Sequence, residues 1–252
     1  MDLRLKERVA LVTGGGTGIG RATATLLAQE GAHVVVSGRR PEFIQEVVQD
    51  ITIEGGKAVA LAGDVSNPAD AVKMVRHTVE RFGQLDILIN NAGVFRGGPL
   101  EDARDETVDL MIDINLRGVI YMIRAAMPEL KKTKGCIVNV SSVWAHQGSR
   151  EFYSSLYAAT KGAVESLTHS LAVELAPYEI RVNAVSPAVV ETPIYESFLP
   201  KDQSLESFGV YHPLGRLGRP EEVARAIVWL ASQASSWTTG AIFEVDGGRS
   251  SA

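Results

Sequence analysis

Short apolar runs alternate along the chain with longer segments of helical periodicity, and this alternation restricts the possible folds more than any other feature. Most of the runs are rich in β-branched residues and lack the apolar–polar alternation of a strand with one wet face. Strands of this kind are buried on both faces, as in a parallel sheet that helices cover on both sides. We therefore predict an α/β fold with one doubly wound parallel sheet of about seven strands, flanked by helices on both faces.

The predicted elements extend over the whole chain. The strands are Val9–Thr13, His33–Ser37, Ala58–Ala62, Ile87–Asn90, Cys136–Ser141, Arg181–Val185 and Ile242–Val245. The helices are Gly18–Gln29, Pro41–Glu54, Pro68–Phe82, Thr107–Lys131, Ser155–Leu175 and Pro220–Ala231. Because no linker or repeat interrupts them, residues 1–252 are expected to form a single domain.

One irregular segment interrupts this regularity. Ser186–Arg219 contains four prolines, several aromatic residues and no clear strand. A segment this long inside a compact domain is usually functional, so we expect a substrate lid over about residues 186–219. The alternative is a surface excursion that docks only for packing.

Composition excludes several classes of function. A net charge of −5 disfavours a broad nucleic-acid surface, and one cysteine, Cys136, cannot form an internal disulfide. The charged N-terminus lacks the apolar core of a signal peptide, and no apolar run approaches the ~20 residues of a membrane span. These features predict a cytoplasmic protein. The five histidines show no metal-ligand spacing, so no metal is expected.

A glycine-rich segment, Thr13–Gly20, separates the first predicted strand from the first helix. Backbone amides at such a helix start point at an anion, and glycine lets a pyrophosphate approach closely. The spacing is Gly14-x-x-x-Gly18-x-Gly20 and not the commoner G-x-G-x-x-G. Together with the strand–turn–helix context, it predicts a Rossmann-like dinucleotide site.

The end of the second predicted strand indicates which dinucleotide binds. An acidic residue there would accept bonds from the adenosine ribose, but the sequence has Gly38, Arg39 and Arg40. Guanidinium groups suit a 2′-phosphate, so NADP(H) is favoured and NAD(H) remains possible. The alternative is that both arginines are solvated turn residues. Asp64 and Val65, after the third strand, are placed to reach adenine, or to form an ordinary helix-capping turn.

A tyrosine and a lysine, Tyr157 and Lys161, are spaced i and i+4 on one predicted helix face. A nearby ammonium favours the phenolate, so we expect Lys161 to lower the pKa of Tyr157 by ~2 units. Such a tyrosine serves as general acid in carbonyl reduction and as general base in alcohol oxidation. A serine upstream, Ser142 or its neighbour Ser141, would polarise the carbonyl oxygen; Ser142 is favoured.

These motifs and their order resemble those of the short-chain dehydrogenase/reductase family over residues 5–248. The resemblance implies a catalytic set of Ser142, Tyr157, Lys161 and Asn115, in which Asn115 supports a proton relay and Lys161 also bonds the nicotinamide ribose. It implies that the segment Asn90–Gly93 steadies the central strand, with Asn90 near the ribose. It also implies that Asp64 contacts adenine and that Thr192 contacts the carboxamide or the pyrophosphate. The full cofactor set that it implies is Gly14, Thr17, Gly18, Ile19, Gly20, Arg39, Arg40, Asp64, Val65, Asn90, Ala92, Gly93, Tyr157, Lys161, Pro187, Val190 and Thr192.

Two further expectations follow from the resemblance. The ending Thr238–Gly248 resembles the family's final strand, which commonly pairs across a subunit interface, so a homotetramer is expected, with a dimer second. The gap between Ser142 and Tyr157 is longer than usual, which indicates an insertion in Val143–Leu156. Side chains of this insertion and of the lid suggest a pocket with a substantial apolar wall: Trp144, His146, Arg150, Phe152, Tyr153, Ile194, Tyr195, Phe198, Leu199, Leu205 and Phe208. The alternatives are that Phe152 or Trp144 serves only packing, that His146 is a surface histidine and that Arg150 pairs with a substrate carboxylate.

The leading hypothesis is an enzyme that transfers hydride between NADP(H) and a ketone or secondary alcohol, a small-molecule substrate. One alternative is an NAD(H)-specific dehydrogenase of the same family. Another is a non-catalytic protein that senses dinucleotides, against which the intact Ser142, Tyr157 and Lys161 argue.

Overall fold

Seven parallel strands form the centre of the described part of the chain, which is residues 2–148, 153–195 and 204–251 of a computed structural model. The strands are β1 (Val9–Thr13), β2 (His33–Gly38), β3 (Lys57–Ala62), β4 (Ile87–Asn90), β5 (Cys136–Val140), β6 (Arg181–Pro187) and β7 (Ile242–Val245). The α-helices are α1 (Gly18–Gln29), α2 (Pro41–Ile53), α3 (Pro68–Phe82), α4 (Asp105–Ile112), α5 (Gly118–Thr133), α6 (Ser155–Leu175) and α7 (Pro220–Ala231). The predicted α/β class is confirmed.

Successive residues of the central strands face two different hydrophobic cores. Leu11, Val35 and Leu88 pack against α3, α5 and α6 on one side of the sheet. Their neighbours Ala10 and Val12 pack against α1, α2 and α7 on the other. Because side chains alternate across a strand, two apolar layers require strands that are apolar throughout, which is the pattern that the sequence shows.

The strand order is β3-β2-β1-β4-β5-β6-β7, so successive strands are added in one direction from β1 to β3 and in the other direction from β4 onward. The chain runs outward from β1 to β3 and then returns to place β4 beside β1. At such a switch point the loops that leave the two strands diverge and open a crevice at the carboxyl edge of the sheet. The glycine-rich segment leaves β1 at this edge, and residues 91–93 leave β4.

The predicted helix Thr107–Lys131 is helical without a break, but it is not α-helical throughout. A π-helical turn, Asp113–Arg117, lies between α4 and α5. The sequence contains no glycine or proline between Asp105 and Arg117 that would mark the interruption, because a π-turn is formed by one wide turn and not by a helix breaker. Other boundaries differ by one or two residues, and β6 extends into the segment predicted to lack strands, ending at Pro187.

Candidate active site

A cavity of about 290 Å³ opens at the carboxyl edge of the sheet, beside the switch point. The glycine-rich segment, the end of β2, the loops after β3, β4 and β5, the start of α6 and the loop after β6 all line it. The predicted site residues in its wall are Gly14, Thr17, Gly18, Ile19, Arg39, Arg40, Asp64, Val65, Ala92, Gly93, Ser142, Tyr157, Lys161, Pro187, Val190 and Thr192. Gly20, Asn90 and Asn115 do not line it.

The glycine-rich segment forms a cradle that side chains would fill. Gly14 has φ +62°, and a Cβ there would lie 2.8 Å from the Cα of Ala92. Gly18 has φ +52°, and a Cβ there would lie 2.8 Å from Cγ2 of Thr192. The N-terminus of α1 has no side-chain cap and no acidic residue in its first turn. Its first amides and its dipole are therefore available to an anion, and the cradle fits a pyrophosphate.

Gly20 has a packing role that the spacing did not reveal. A Cβ there would lie 2.2 Å from the carbonyl oxygen of Gly14, so Gly20 allows α1 to pack against the loop without itself lining the cavity. Asn91 follows β4 directly, in the segment Asn90–Gly93, and donates from Nδ2 to the carbonyls of Thr13 and Gly14, both at 3.0 Å. These bonds tie the end of β4 to the glycine-rich segment that leaves β1.

Asn90 is directed into the sheet and away from the cavity. Its side chain is buried and donates from Nδ2 to Oδ1 of Asn139 on β5, at 2.9 Å. The alternation of side chains along β4 turns Asn90 and Asn91 to opposite sides. That Asn90 lies near the ribose stays a prediction.

Cationic groups surround the end of the cavity that β2 reaches. Arg39 and Arg40 both line it, and the Arg40 guanidinium lies 4.0 Å from the ring centroid of Phe43. This cation–π contact holds the guanidinium beside the cavity. Asp64 lines the same end, while its Oδ1 accepts bonds from Ser66 N and Oγ at 2.9 and 2.7 Å. Asp64 thus forms the turn while it also lines the cavity, and its contact with adenine stays a prediction.

The predicted catalytic residues meet at the opposite end. The Lys161 Nζ atom lies 5.6 Å from the Tyr157 ring centroid and donates to the carbonyl of Val140 at 2.8 Å. The Ser142 side chain is hydrogen-bonded to Tyr157. The hydroxyl of Ser141 instead donates to Oε1 of Glu165 at 2.8 Å. Ser142 is therefore the serine placed to act with Tyr157.

The expected direction of the Tyr157 pKa is wrong for the free protein. Burial raises the pKa of Tyr157 well above its ordinary value of 10, and the hydrogen bond from Ser142 opposes the rise only in part. Burial also lowers the pKa of Lys161 to about 8. Both shifts have one cause, because a site shielded from water disfavours phenolate and ammonium alike. The phenol is thus held protonated.

Asn115 lies behind this end, in the π-turn between α4 and α5. Its Oδ1 accepts from the Val94 amide at 2.8 Å, and its Nδ2 donates to the Val94 carbonyl at 2.9 Å. A Cβ on Gly93 would lie 3.4 Å from Asn115 Oδ1 and 3.5 Å from Lys161 Nζ, so Asn115 and Lys161 flank the same glycine. Asn115 thereby holds the loop after β4 against the lysine.

Aromatic side chains enclose Tyr157. The Phe95 ring centroid lies 4.9 Å from that of Tyr157, and the Trp144 centroid 6.0 Å from it. Tyr195 and Phe208 belong to the same buried cluster, with Ile194 and Leu205 packed against it. His146 contacts Glu165 and Glu244 instead, and Tyr153 is 67% exposed. The other expected wall residues, Arg150, Phe152, Phe198 and Leu199, lie outside the described residues.

In the described part of the chain, no group of three or more His, Cys, Asp or Glu side chains is arranged to hold a metal ion. No helix there is long and apolar enough to cross a membrane.

The chain matches known proteins over nearly its whole length. Residues 14–250 match the short-chain dehydrogenase/reductase family model described as enoyl-(acyl carrier protein) reductase. The chain belongs to the short-chain dehydrogenase/reductase family. It is therefore an oxidoreductase that acts on CH–OH or C=O groups.

Relatives within this family differ in their named substrates. Cyclopentanol dehydrogenase of Comamonas testosteroni is 39% identical over 246 residues, which are 97% of this chain and 98% of the relative. The 3-oxoacyl-(acyl-carrier-protein) reductase FabG of Thermotoga maritima is 38% identical over 98% of this chain and 99% of its own. The structure of 3-ketoacyl-(acyl-carrier-protein) reductase from Brucella melitensis complexed with NADH superposes with a TM-score of 0.90 at 37% identity, covering 98% of this chain and 99% of that one.

Proposed function

We propose that this short-chain dehydrogenase/reductase transfers hydride between NADP(H) and an uncharged, largely apolar ketone or secondary alcohol. The observation that carries the proposal is one cavity with two chemically different ends. Ser142, Tyr157 and Lys161 meet among aromatic side chains at one end, and Arg39 and Arg40 line the other. The glycine cradle between them fits the pyrophosphate that joins the two halves of a dinucleotide. The nicotinamide, when bound, supplies or accepts the hydride.

Tyr157 and Ser142 handle the proton and the oxygen. In carbonyl reduction the Tyr157 phenol donates its proton to the substrate oxygen, while the Ser142 hydroxyl donates a hydrogen bond to the same oxygen. Burial, which raises the pKa of Tyr157, keeps the phenol ready to donate. In alcohol oxidation Tyr157 accepts the proton, and the Lys161 ammonium beside the ring stabilises the negative charge on the phenolate.

The substrate end of the cavity favours a molecule without charge. Besides Lys161, the charged side chains that line the cavity, Arg39, Arg40 and Asp64, lie at its adenosine end in the described residues. Around Tyr157 the wall is formed by Val94, Trp144, Ala188, Ile194 and Tyr195. A charged group against these side chains would lose its hydration, and among the described residues of this end only Lys161 could pair with it. Small alicyclic ketones and alcohols fit this wall, in keeping with the name of the Comamonas relative.

Replacing the proton donor tests the mechanism. In Tyr157→Phe we expect kcat for ketone reduction to fall by about 10²- to 10⁴-fold, the usual contribution of general acid catalysis. The dissociation constant for NADPH, measured by fluorescence titration, should change little, because the ring that packs at the site is kept. Tyr153→Phe, the same change on a side chain that is 67% exposed, is the control. Undiminished turnover in Tyr157→Phe would refute the mechanism, and no turnover of any ketone or alcohol by the wild type would favour the dinucleotide sensor.

The coenzyme preference rests on the two arginines. In Arg39→Ala we expect kcat/KM for NADPH to fall by about 10- to 100-fold, the worth of one charge-assisted hydrogen bond, while kcat/KM for NADH stays nearly constant. Arg40→Ala should act in the same direction, and Arg76→Ala, on the exposed surface of α3, should alter neither. The NADH in the Brucella structure supports the NAD(H)-specific alternative. Equal loss with both coenzymes, or no loss, would favour that alternative.

The remaining features of the proposal concern assembly and setting. We place residues 1–252 in one domain, with a substrate lid over about 186–219, of which the described part packs Tyr195 and Phe208 onto the aromatic cluster. A homotetramer is the expected assembly, and a dimer the second option. Burial raises the pKa of Cys136, so its thiol is inert and suits a reducing, cytoplasmic setting.

A further inference from the structure

Glu165 lies on α6 one turn after Lys161, behind the strand ends that carry the proposed catalytic groups. Its Oε1 accepts a hydrogen bond from Ser141 Oγ at the end of β5, at 2.8 Å, and a longer one from Ser186 Oγ on β6, at 3.4 Å. Its Oε2 lies 3.5 Å from Nδ1 of His146, in the loop after β5. One carboxylate therefore joins α6 to β5, to β6 and to the loop after β5.

The contact with Ser141 determines where its neighbour points. The Ser141 amide donates to the Val185 carbonyl at 2.8 Å, and its hydroxyl also reaches the Lys161 carbonyl at 3.3 Å. Ser142 has an extended backbone, with φ −168° and ψ 149°. Ser141 is held to Glu165 and to the Lys161 carbonyl in the middle of α6. With Ser141 fixed there, the hydroxyl of its neighbour Ser142 reaches Tyr157 in the first turn of the same helix.

His146 holds the far end of the same loop. Its Nε2 lies 3.2 Å from Oε1 of Glu244 on β7, while its Nδ1 faces Glu165. The residues between Ser142 and His146 include Trp144, which packs against Tyr157. The part of the loop that carries Ser142 and Trp144 is thus held on one side through Ser141 and on the other through His146.

The Glu165 side chain is only 13% exposed, so its partners are needed to replace hydration. A carboxylate in such a place is costly unless hydrogen bonds satisfy it, and bonds to an ionised acceptor are stronger than neutral ones. The tyrosine, the lysine and the glutamate also share one rigid helix. A carboxylate on that helix can therefore set the distance between Ser142 and Tyr157 more firmly than a loop contact.

We propose that Glu165 is a positioning residue, which acts through Ser141 and His146 to hold the Ser142 hydroxyl at the right distance from Tyr157 and Lys161. The inference rests on the proposed function, since it assumes that Ser142 and Tyr157 act on one substrate oxygen. Misplacing a hydrogen-bond donor at a reacting oxygen lowers the rate of the chemical step more than it lowers binding.

The test compares Glu165→Ala, Glu165→Gln, Ser141→Ala and the double variant Glu165→Ala/Ser141→Ala in NADPH-dependent ketone reduction. In Glu165→Ala we expect kcat to fall by about 10- to 100-fold, with KM for the ketone and the NADPH dissociation constant within about twofold of wild type. Glu165→Gln keeps an oxygen that can accept from Ser141 and should recover most of kcat. The double variant should be no slower than the slower single variant, because both changes remove one contact. Glu174→Ala, an exposed glutamate of the same helix, is the matched control.

Three results would overturn the inference. The first is a kcat within about twofold of wild type in Glu165→Ala. The second is a double variant in which the two losses of kcat multiply. The third is a parallel loss of kcat, coenzyme binding and melting temperature in Glu165→Ala that Glu165→Gln does not recover. If Glu165→Ala does not fold, Glu165→Gln and Ser141→Ala decide: unchanged kcat in both refutes the inference, and lowered kcat at unchanged KM in Ser141→Ala supports it. Failure of the proposed function is seen separately, as absent turnover in the wild type or full activity in Tyr157→Phe, and it would remove the premise of the inference.

Discussion

Lys161 combines two properties that oppose each other in the free protein. Its ammonium is placed beside the Tyr157 ring, where charge is useful, but it is buried, with the Val140 carbonyl as its hydrogen-bond acceptor. Burial penalises the charge and lowers the pKa of Lys161 to about 8. Keeping this side chain in place therefore costs stability at neutral pH, as is common for residues whose position serves chemistry.

The pH dependence of stability should reveal this cost. Between pH 8 and the ordinary value of 10.5, the unfolded chain keeps a proton on Lys161 that the folded protein has lost. The contribution of Lys161 to the free energy of unfolding therefore becomes more favourable as pH rises across this window. As pH falls, this gain disappears, and below about pH 8 none of it is left. From about pH 7 to about pH 9.5, wild type should gain roughly 2 kcal/mol relative to Lys161→Met in urea unfolding of the coenzyme-free protein.

The control for this measurement is Lys73→Met, an exposed lysine of α3. Its difference from wild type should not change over the same pH range. Tyr157 and Tyr195, whose pKa values burial raises, act in the opposite direction only above pH 10, so they do not disturb the window. A constant difference between wild type and Lys161→Met would contradict the expected shift.

At the scale of elements, the π-turn between α4 and α5 is the feature with the clearest consequence. This turn places the side-chain amide of Asn115 beside the main chain of Val94. The side chain accepts from the Val94 amide at 2.8 Å and donates to the Val94 carbonyl at 2.9 Å. These bonds tie a helix to the loop after β4, which lines the cavity. The element that interrupts the helix is thus also the one that braces the site, as is frequent for π-turns.

Truncating this side chain should be costly. In Asn115→Ala the amide and the carbonyl of Val94 lose their partners, so the free energy of unfolding should fall by about 2–4 kcal/mol, and kcat should fall too. Asn67→Ala is the matched change at an exposed place, where the side chain caps α3 by accepting from the Ala69 amide at 2.9 Å. It should cost about 1 kcal/mol and leave activity unchanged. Equal costs in urea unfolding, with full activity in both, would contradict the bracing role.

At the scale of the whole molecule, β7 is one edge of the described sheet, and it carries exposed apolar side chains. Phe243 on β7 is 42% exposed and packs against Trp229 at 5.8 Å between ring centroids, and Trp237, shortly before β7, is fully exposed. Exposed apolar groups at a sheet edge are typical of a surface that another chain covers.

The homotetramer that we propose from the family resemblance would have a native mass of about four times 27.1 kDa, as measured by light scattering after size-exclusion chromatography. In Phe243→Asp a charge enters this edge, so we expect the mass to shift toward the dimer. Ile53→Asp, at an exposed position near the end of α2 that is 75% exposed, should leave the mass unchanged. A wild-type monomer would contradict the expectation, and a wild-type dimer would support the second option.

The sequence by itself determined the layered fold and the two ends of the site. Strands that are apolar on both faces require helices on both sides, and this is a local property that needs no coordinates. Glycines between a strand and a helix, or a tyrosine and a lysine four apart on a helix, likewise have geometric consequences that short-range backbone geometry enforces. For this reason the cavity contains Gly14, Gly18, Tyr157 and Lys161 as expected.

Only the tertiary structure decided properties that depend on which side a residue faces and how much water reaches it. Ser141 and Ser142 are adjacent and chemically identical, and only the way in which the chain after β5 lies along α6 brings one to Glu165 and the other to Tyr157. The same holds for Asn90 and Asn91. The pKa of Tyr157 went in the direction opposite to the expectation, because charge spacing can be read along a helix while burial is produced by distant segments that close over it.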